Sequence, residues 1–188
     1  MIPKTLEEIA SYIVKDGKGI LAADESTGTI EKRFKSIDVE STEDNRRKYR
    51  EMLFRSPAMA EAIGGVILFD ETLRQKAKDG SYLRDVILSH GSLPGSKVDQ
   101  GVKELEDNSN EKITTGLDGL NERCREYDTL GAKFTKWRAV INIGNGIPSA
   151  KCINENMLAL SEYALIAQEN NMVPIVEPEV IMDGPHTI

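Results

Sequence analysis

Short apolar runs that end on an acid recur along this chain. Residues 20–23 lead to Asp24, residues 66–69 to Asp70 and Glu71, and residues 172–176 to Glu177, with Glu179 two places on. An apolar run without polar alternation suits a strand covered on both faces. The stretches between these runs carry helical spacing, and strands joined by helical crossovers must be parallel. The class is therefore α/β. An acid just beyond a strand's C-terminal end lies where parallel α/β folds put their chemistry.

The remaining elements follow from local signals. Thr5 and Glu8 form a capping box ahead of the stripe Leu6, Ile9, Ala10 and Ile13, and Gly17 and Gly19 break that helix. Helices are expected over 26–36, from Ser41 and Asp44 through Phe54, and over 72–78 and 82–89. A weaker strand is expected at 94–99, followed by a polar loop at 103–115. Leu117, Leu120, Cys124 and Tyr127 sit at helical spacing, residues 134–143 read as a strand and 144–148 as a loop. A long helix spans 149–170, with Leu158, Ala159, Tyr163 and Ile166 on its buried side, and the last strand covers 172–180.

Composition removes several functions. With 24 Lys+Arg against 31 Asp+Glu, the net charge is −7, and no basic face for nucleic acid is visible. No run approaches the ~20 apolar residues of a membrane span, and the N-terminus carries charges where a signal peptide would be apolar. Cys124 and Cys152 stand singly, which reads as reduced thiols in a cytoplasmic protein. His90 and His186 are isolated, so no metal site follows from the sequence.

The strongest chemical signal is Glu177-Pro178-Glu179. Residues two apart on a strand share a face, and two carboxylates in one space resist ionising together, which raises one pKa. The other reading puts both in a solvated strand end. Lys136 and Arg138 flank Trp137 on one face, continued by Val140 and Asn142. They suit a bound phosphate or carboxylate, or pair with the glutamates; a desolvated lysine there could also act as a nucleophile. Lys97 and Asp99 repeat the spacing and taken alone read as a surface pair. Glu25 to Gly28 could cap a helix or bind an anion, whereas Arg33 and Arg46-Arg47 fall on helices, where charges usually form a solvated face. Residues 144–149 (GNGIPS) follow a strand and precede a helix, as a dinucleotide-binding GxGxxG does. Ser149 replaces the third glycine, and the next strand's acids come about thirty residues on, against roughly twenty in that motif. A dinucleotide-binding oxidoreductase is thus a distant alternative.

Taken together, GILAADESTGTIEKRF (19–34), NRRKYREMLF (45–54), GGVILFDETL (64–73), KVDQGV (97–102), TTGLDGLNERC (114–124), KWRAV (136–140) and VPIVEPE (173–179) resemble class I fructose-1,6-bisphosphate aldolase. The resemblance runs in order over nearly the whole chain. It implies a (β/α)8 TIM barrel, of which residues 1–188 supply about the first five strands of a single domain. It also implies an aldehyde-lyase of glycolysis and gluconeogenesis that forms a Schiff base and needs no cofactor. The substrates would be fructose 1,6-bisphosphate and triose phosphates, and the enzyme a cytoplasmic homotetramer without nucleic-acid or membrane partners.

The resemblance assigns roles. Asp24 matches the aspartate that assists carbon–carbon cleavage and orients the Schiff-base lysine, and Lys136 the lysine that assists carbinolamine chemistry. Glu177 matches the acid/base and Glu179 its neighbour beside the Schiff base. Lys97 and Arg138 match cations near the substrate's hydroxyls and phosphate. Arg33 and Arg46 match phosphate-end contacts, and Thr29 stands where relatives often have Ser. The loop 142–149 departs from animal members, with Asn142 and Asn145 where a charge is frequent, which points to a bacterial or plant-like branch.

In this family the imine-forming lysine lies on the sixth strand, and a (β/α)8 barrel typically needs about 250 residues. The lysine is therefore expected C-terminal to Ile188, and the 188 residues alone are expected to be inactive. The alternatives are an incomplete aldolase-like interaction module with open sheet edges, and an imine on Lys136 or Lys97.

Overall fold

The computed structural model describes residues 3–105 and 108–187. Five parallel strands form its main sheet: β1 (Gly19–Ala23), β2 (Ile63–Leu68), β3 (Leu93–Lys97), β6 (Phe134–Ile141) and β7 (Val173–Val180), in the spatial order β1-β2-β3-β6-β7. In every crossover but one, helices are the only regular elements longer than an isolated bridge. The helices are α1 (Leu6–Ile13), α2 (Thr27–Lys35), α3 (Glu43–Phe54), α4 (Ala58–Ala62), α5 (Asp70–Arg74), α6 (Leu83–Ser89), α7 (Leu120–Thr129) and α8 (Ala150–Glu169). The exception is the connection from β3 to β6. It carries an antiparallel hairpin, β4 (Val102–Leu105) and β5 (Asn108–Thr114), ahead of α7.

The hairpin corrects the loop expected at 103–115, although residues 106 and 107 lie outside the described residues. Its polar sequence hid it. Its register pairs Lys103 with Ile113 and Glu104 with Lys112, and the fold buries little of it beyond Leu105, Glu111 and Thr114. The helix expected at 72–78 is only Asp70–Arg74, because the chain turns at Gln75 and Lys76 bridges Tyr82. Thr42, not Ser41, caps α3, accepting from the Asn45 amide at 3.1 Å. The weak strand at 94–99 is β3, a central strand of the sheet. It reads weakly because Gly95 has no side chain: a Cβ there would collide with the Phe134 ring, which fills that space.

Strand parity divides the core in two. Outward-facing Val66, Leu68, Trp137 and Ala139 pack against the helices, with Trp137 stacked on Tyr163 of α8 at 5.5 Å. The Tyr163 hydroxyl shares a 2.8 Å hydrogen bond with Thr135. Leu158 corrects the expected buried face of α8: it is 70% exposed, one position off the face that buries Ala159, Leu160 and Tyr163. Inward-facing Ile67, Leu93 and Phe134 meet Ile9 and Ile13 of α1, which closes the N-terminal end of the sheet. Burying a side chain the size of Phe134 contributes about 1.5–3 kcal/mol. Among the described residues, no helix is long and apolar enough to cross a membrane.

Candidate active site

The inward face changes character along the strands. Its N-terminal half is apolar and plugged by α1; its C-terminal half carries charge. Period-two alternation puts Ala22 and Asp24 in line at the end of β1, Lys136, Arg138 and Val140 on β6, and Glu177 and Glu179 on β7. These residues, with Lys97 from β3, line a cavity of about 1030 Å³.

At the centre is Lys136, whose side chain is 8% exposed. Its Nζ lies 2.8 Å from Asp24 Oδ2 and 3.6 Å from Glu177 Oε1. Burial alone would lower its pKa. The hydrogen bond to Asp24 and the charges of Asp24, Glu177 and Asp99 outweigh that, and the ammonium is held above its usual range. A lysine kept protonated is a proton donor and an electrostatic anchor, not a free amine ready to attack a carbonyl. In the β6–β7 register Arg138 sits opposite Glu177, yet its guanidinium pairs with Glu179, which raises its pKa further. Lys97 and Lys136 are direct neighbours across β3 and β6. Lys97 is neutralised by Asp99, which takes its ammonium on both a carboxylate oxygen and, at 2.8 Å, the backbone carbonyl.

The family model of glycolytic class-I fructose-bisphosphate aldolase matches residues 5–188. The chain belongs to the class I fructose-bisphosphate aldolase family. It is 55% identical over 183 residues to a probable fructose-bisphosphate aldolase class 1 of Xanthomonas axonopodis, covering 97% of this chain and 55% of that protein. It is 56% identical over 189 residues to the cytosolic fructose-bisphosphate aldolase 4 of Arabidopsis thaliana, covering 100% of this chain and 48% of that one. A solved structure of the Plasmodium falciparum aldolase superposes with a TM-score of 0.94 at 47% identity, over 97% of this chain and 53% of its own. The chain thus spans about half the length of the relatives it matches.

Most of the residues expected from the aldolase resemblance converge on the cavity: Asp24, Thr29, Arg33, Lys97, Lys136, Arg138, Glu177 and Glu179 all line it. Thr29 sits in the first turn of α2 with its hydroxyl 3.0 Å from the capping Ser26. Arg33 projects from the same helix and pairs with Glu25. Arg46 does not line the cavity. Glu71 holds it through two bonds of 2.8 and 2.6 Å, and the Ser41 carbonyl accepts a third at 2.7 Å. Nor is Arg46 on a solvated face, its side chain being 11% exposed. The two glutamates share a face as the spacing requires, and each faces a different cation, Glu177 the Lys136 ammonium and Glu179 the Arg138 guanidinium. Lys97 and Asp99 are 17% and 5% exposed, which replaces the surface-pair reading.

Sequence reasoning paired Lys97 with Asp99 but missed the burial of that pair, and it missed the buried Arg50 behind Glu25 altogether. For Arg50 a signal existed: it lies four residues after Arg46, on one face of α3. The dinucleotide reading of 144–149 meets a carboxylate where a pyrophosphate would sit. Ser149 caps α8, and Glu111 Oε1, from a 2% exposed residue, accepts the Ser149 amide at 2.6 Å. An anion already occupies that helix start.

Proposed function

We propose that the full protein catalyses reversible aldol cleavage of fructose 1,6-bisphosphate to dihydroxyacetone phosphate and glyceraldehyde 3-phosphate. The reading rests on one observation, the Lys136 ammonium held between Asp24 and Glu177 at the C-terminal ends of parallel strands. Breaking the C3–C4 bond leaves a carbanion that needs an electron sink. A protonated imine between the substrate ketone and a lysine outside residues 1–188 supplies it. Building that imine requires loss of water from a carbinolamine, and Lys136 is charged and placed to give the proton. Asp24 and Glu177, one on each side of Lys136, exchange protons with the substrate's hydroxyls and the carbon centre. Glu179 keeps Arg138 turned into the cavity.

Arg33, Lys97 and Arg138 line the cavity, each beside a carboxylate, and offer N–H donors that exchange that partner for a phosphate oxygen of the substrate, with the Thr29 hydroxyl in the same lining. In the same proposal the rest of the protein pairs with the edge strands β1 and β7 and closes an eight-stranded barrel. The assembled enzyme is a cytoplasmic homotetramer. The test is borohydride reduction of the full-length protein with dihydroxyacetone phosphate: a covalent adduct with loss of cleavage activity is expected, and absence of any adduct overturns the imine assignment.

A further inference from the structure

Among the described residues Arg50 is the most deeply buried cation, and it is not part of the lining of the cavity around Lys136. Its Nη2 donates to the Glu25 carbonyl at 2.7 Å and lies 3.6 Å from Glu25 Oε2, while its Nη1 is 3.9 Å from Glu71 Oε2. Its Nε and Nη1, and Glu25 Oε2, have no hydrogen-bond partner. Arg46, one turn earlier on α3, holds both carboxylate oxygens of Glu71 through two hydrogen bonds. One helix face therefore ties the chain just after β1, at Glu25, to the start of α5 just after β2, at Glu71. Asp24 immediately precedes the tied carbonyl and must keep Oδ2 within 2.8 Å of Lys136.

A guanidinium with unpaired N–H groups is costly to bury, and an apolar side chain would fill this space beside Phe54 without that cost. What the arginine adds is a fixed bond to the backbone at residue 25 and positive charge beside the Glu25 carboxylate and the partly exposed Glu71 carboxylate. We propose that Arg50, with Arg46, is a positioning residue: the pair braces the C-terminal ends of β1 and β2 and so holds Asp24 in register with Lys136, without touching substrate. Arg46 thereby acts through Glu71 and not as a phosphate contact. The inference rests on the proposed aldolase reaction.

The test uses the full-length protein with Arg50→Lys, Arg50→Met and Arg46→Met. Active sites are counted by borohydride trapping, and kcat and KM for fructose 1,6-bisphosphate are measured per trapped site. A displacement on the order of 1 Å at a catalytic group costs up to about 100-fold. The expected result is a fall of at least ~10-fold in kcat for Arg50→Met, partial recovery in Arg50→Lys, and KM within about twofold of wild type for all three. A lowered melting temperature with unchanged kcat per trapped site overturns the proposal, as does a raised KM with unchanged kcat, which would make the arginines substrate contacts. Where Arg50→Met does not fold, wild-type kcat in both other variants overturns it. Wild-type cleavage and trapping in the same run separates failure of the aldolase reading from failure of the brace.

Discussion

Removing either partner of the Asp24–Lys136 pair exposes how strongly the centre of the cavity is coupled. At an effective dielectric near 20, their 2.8 Å separation corresponds to about 6 kcal/mol of attraction, and Glu177 at 3.6 Å adds about 5 kcal/mol. Desolvating each ion costs several kcal/mol, so most of that attraction is offset. The Glu177 share is discounted again because its side chain is 35% exposed. A net coupling of about 2–3 kcal/mol between Asp24 and Lys136 remains. The assay is a double-mutant cycle of Asp24→Asn, Lys136→Met and the double variant, by urea unfolding of the full-length protein at pH 7.5. The sign with pH follows from the raised pKa of Lys136. A cation whose pKa is higher folded than unfolded stabilises fully below the ordinary lysine value, about 10.4, and loses that contribution as pH rises through the folded value. The coupling should therefore be flat from neutral pH to about 10 and decline above it. Single-variant losses that add within about 0.5 kcal/mol would refute the reasoning.

Further outcomes follow from the same geometry. Glu177→Gln in the full-length protein should lower kcat by about 10²- to 10⁴-fold while leaving KM near wild type, in a coupled triose-phosphate assay. Gly64→Ala should cost about 1–3 kcal/mol in urea unfolding, because the added Cβ overlaps the Ile13 carbonyl and pushes α1 off the sheet. Glu111→Ala should cost about 1–2 kcal/mol and speed hydrogen exchange at the Ser149 amide, whose acceptor it removes.

The legible parts of this fold were those where one periodicity dominates. Apolar runs ending on acids mark β1, β2 and β7, and the i, i+2 spacing of Lys136 with Arg138 and Glu177 with Glu179 puts all four side chains in one cavity. The β4–β5 hairpin escaped because its strands are polar and lack an apolar alternation, and the contacts that tie it to the start of α8 lie far along the chain. The electrostatics were legible only by half. Spacing identifies which side chains share a face, but which carboxylate holds which cation depends on neighbouring strands: Asp24 reaches Lys136 from across the sheet, and Glu179 captures Arg138 although the register sets Glu177 opposite. Arg46 is a further case: the resemblance puts it at a phosphate end of the substrate, and spacing alone does not show that the packing of α3 pairs it with Glu71.

Proton transfer by residues 1–188, with the imine on a lysine elsewhere in the protein, is the division of labour that the proposed function requires. It is tested most directly by locating the borohydride-reduced dihydroxyacetone phosphate adduct in the full-length protein by peptide mass mapping. A single modified lysine outside residues 1–188 is expected, with Lys97 and Lys136 unmodified. An adduct on Lys136 would contradict it, because the ammonium held by Asp24 and Glu177 would then have to be the nucleophile.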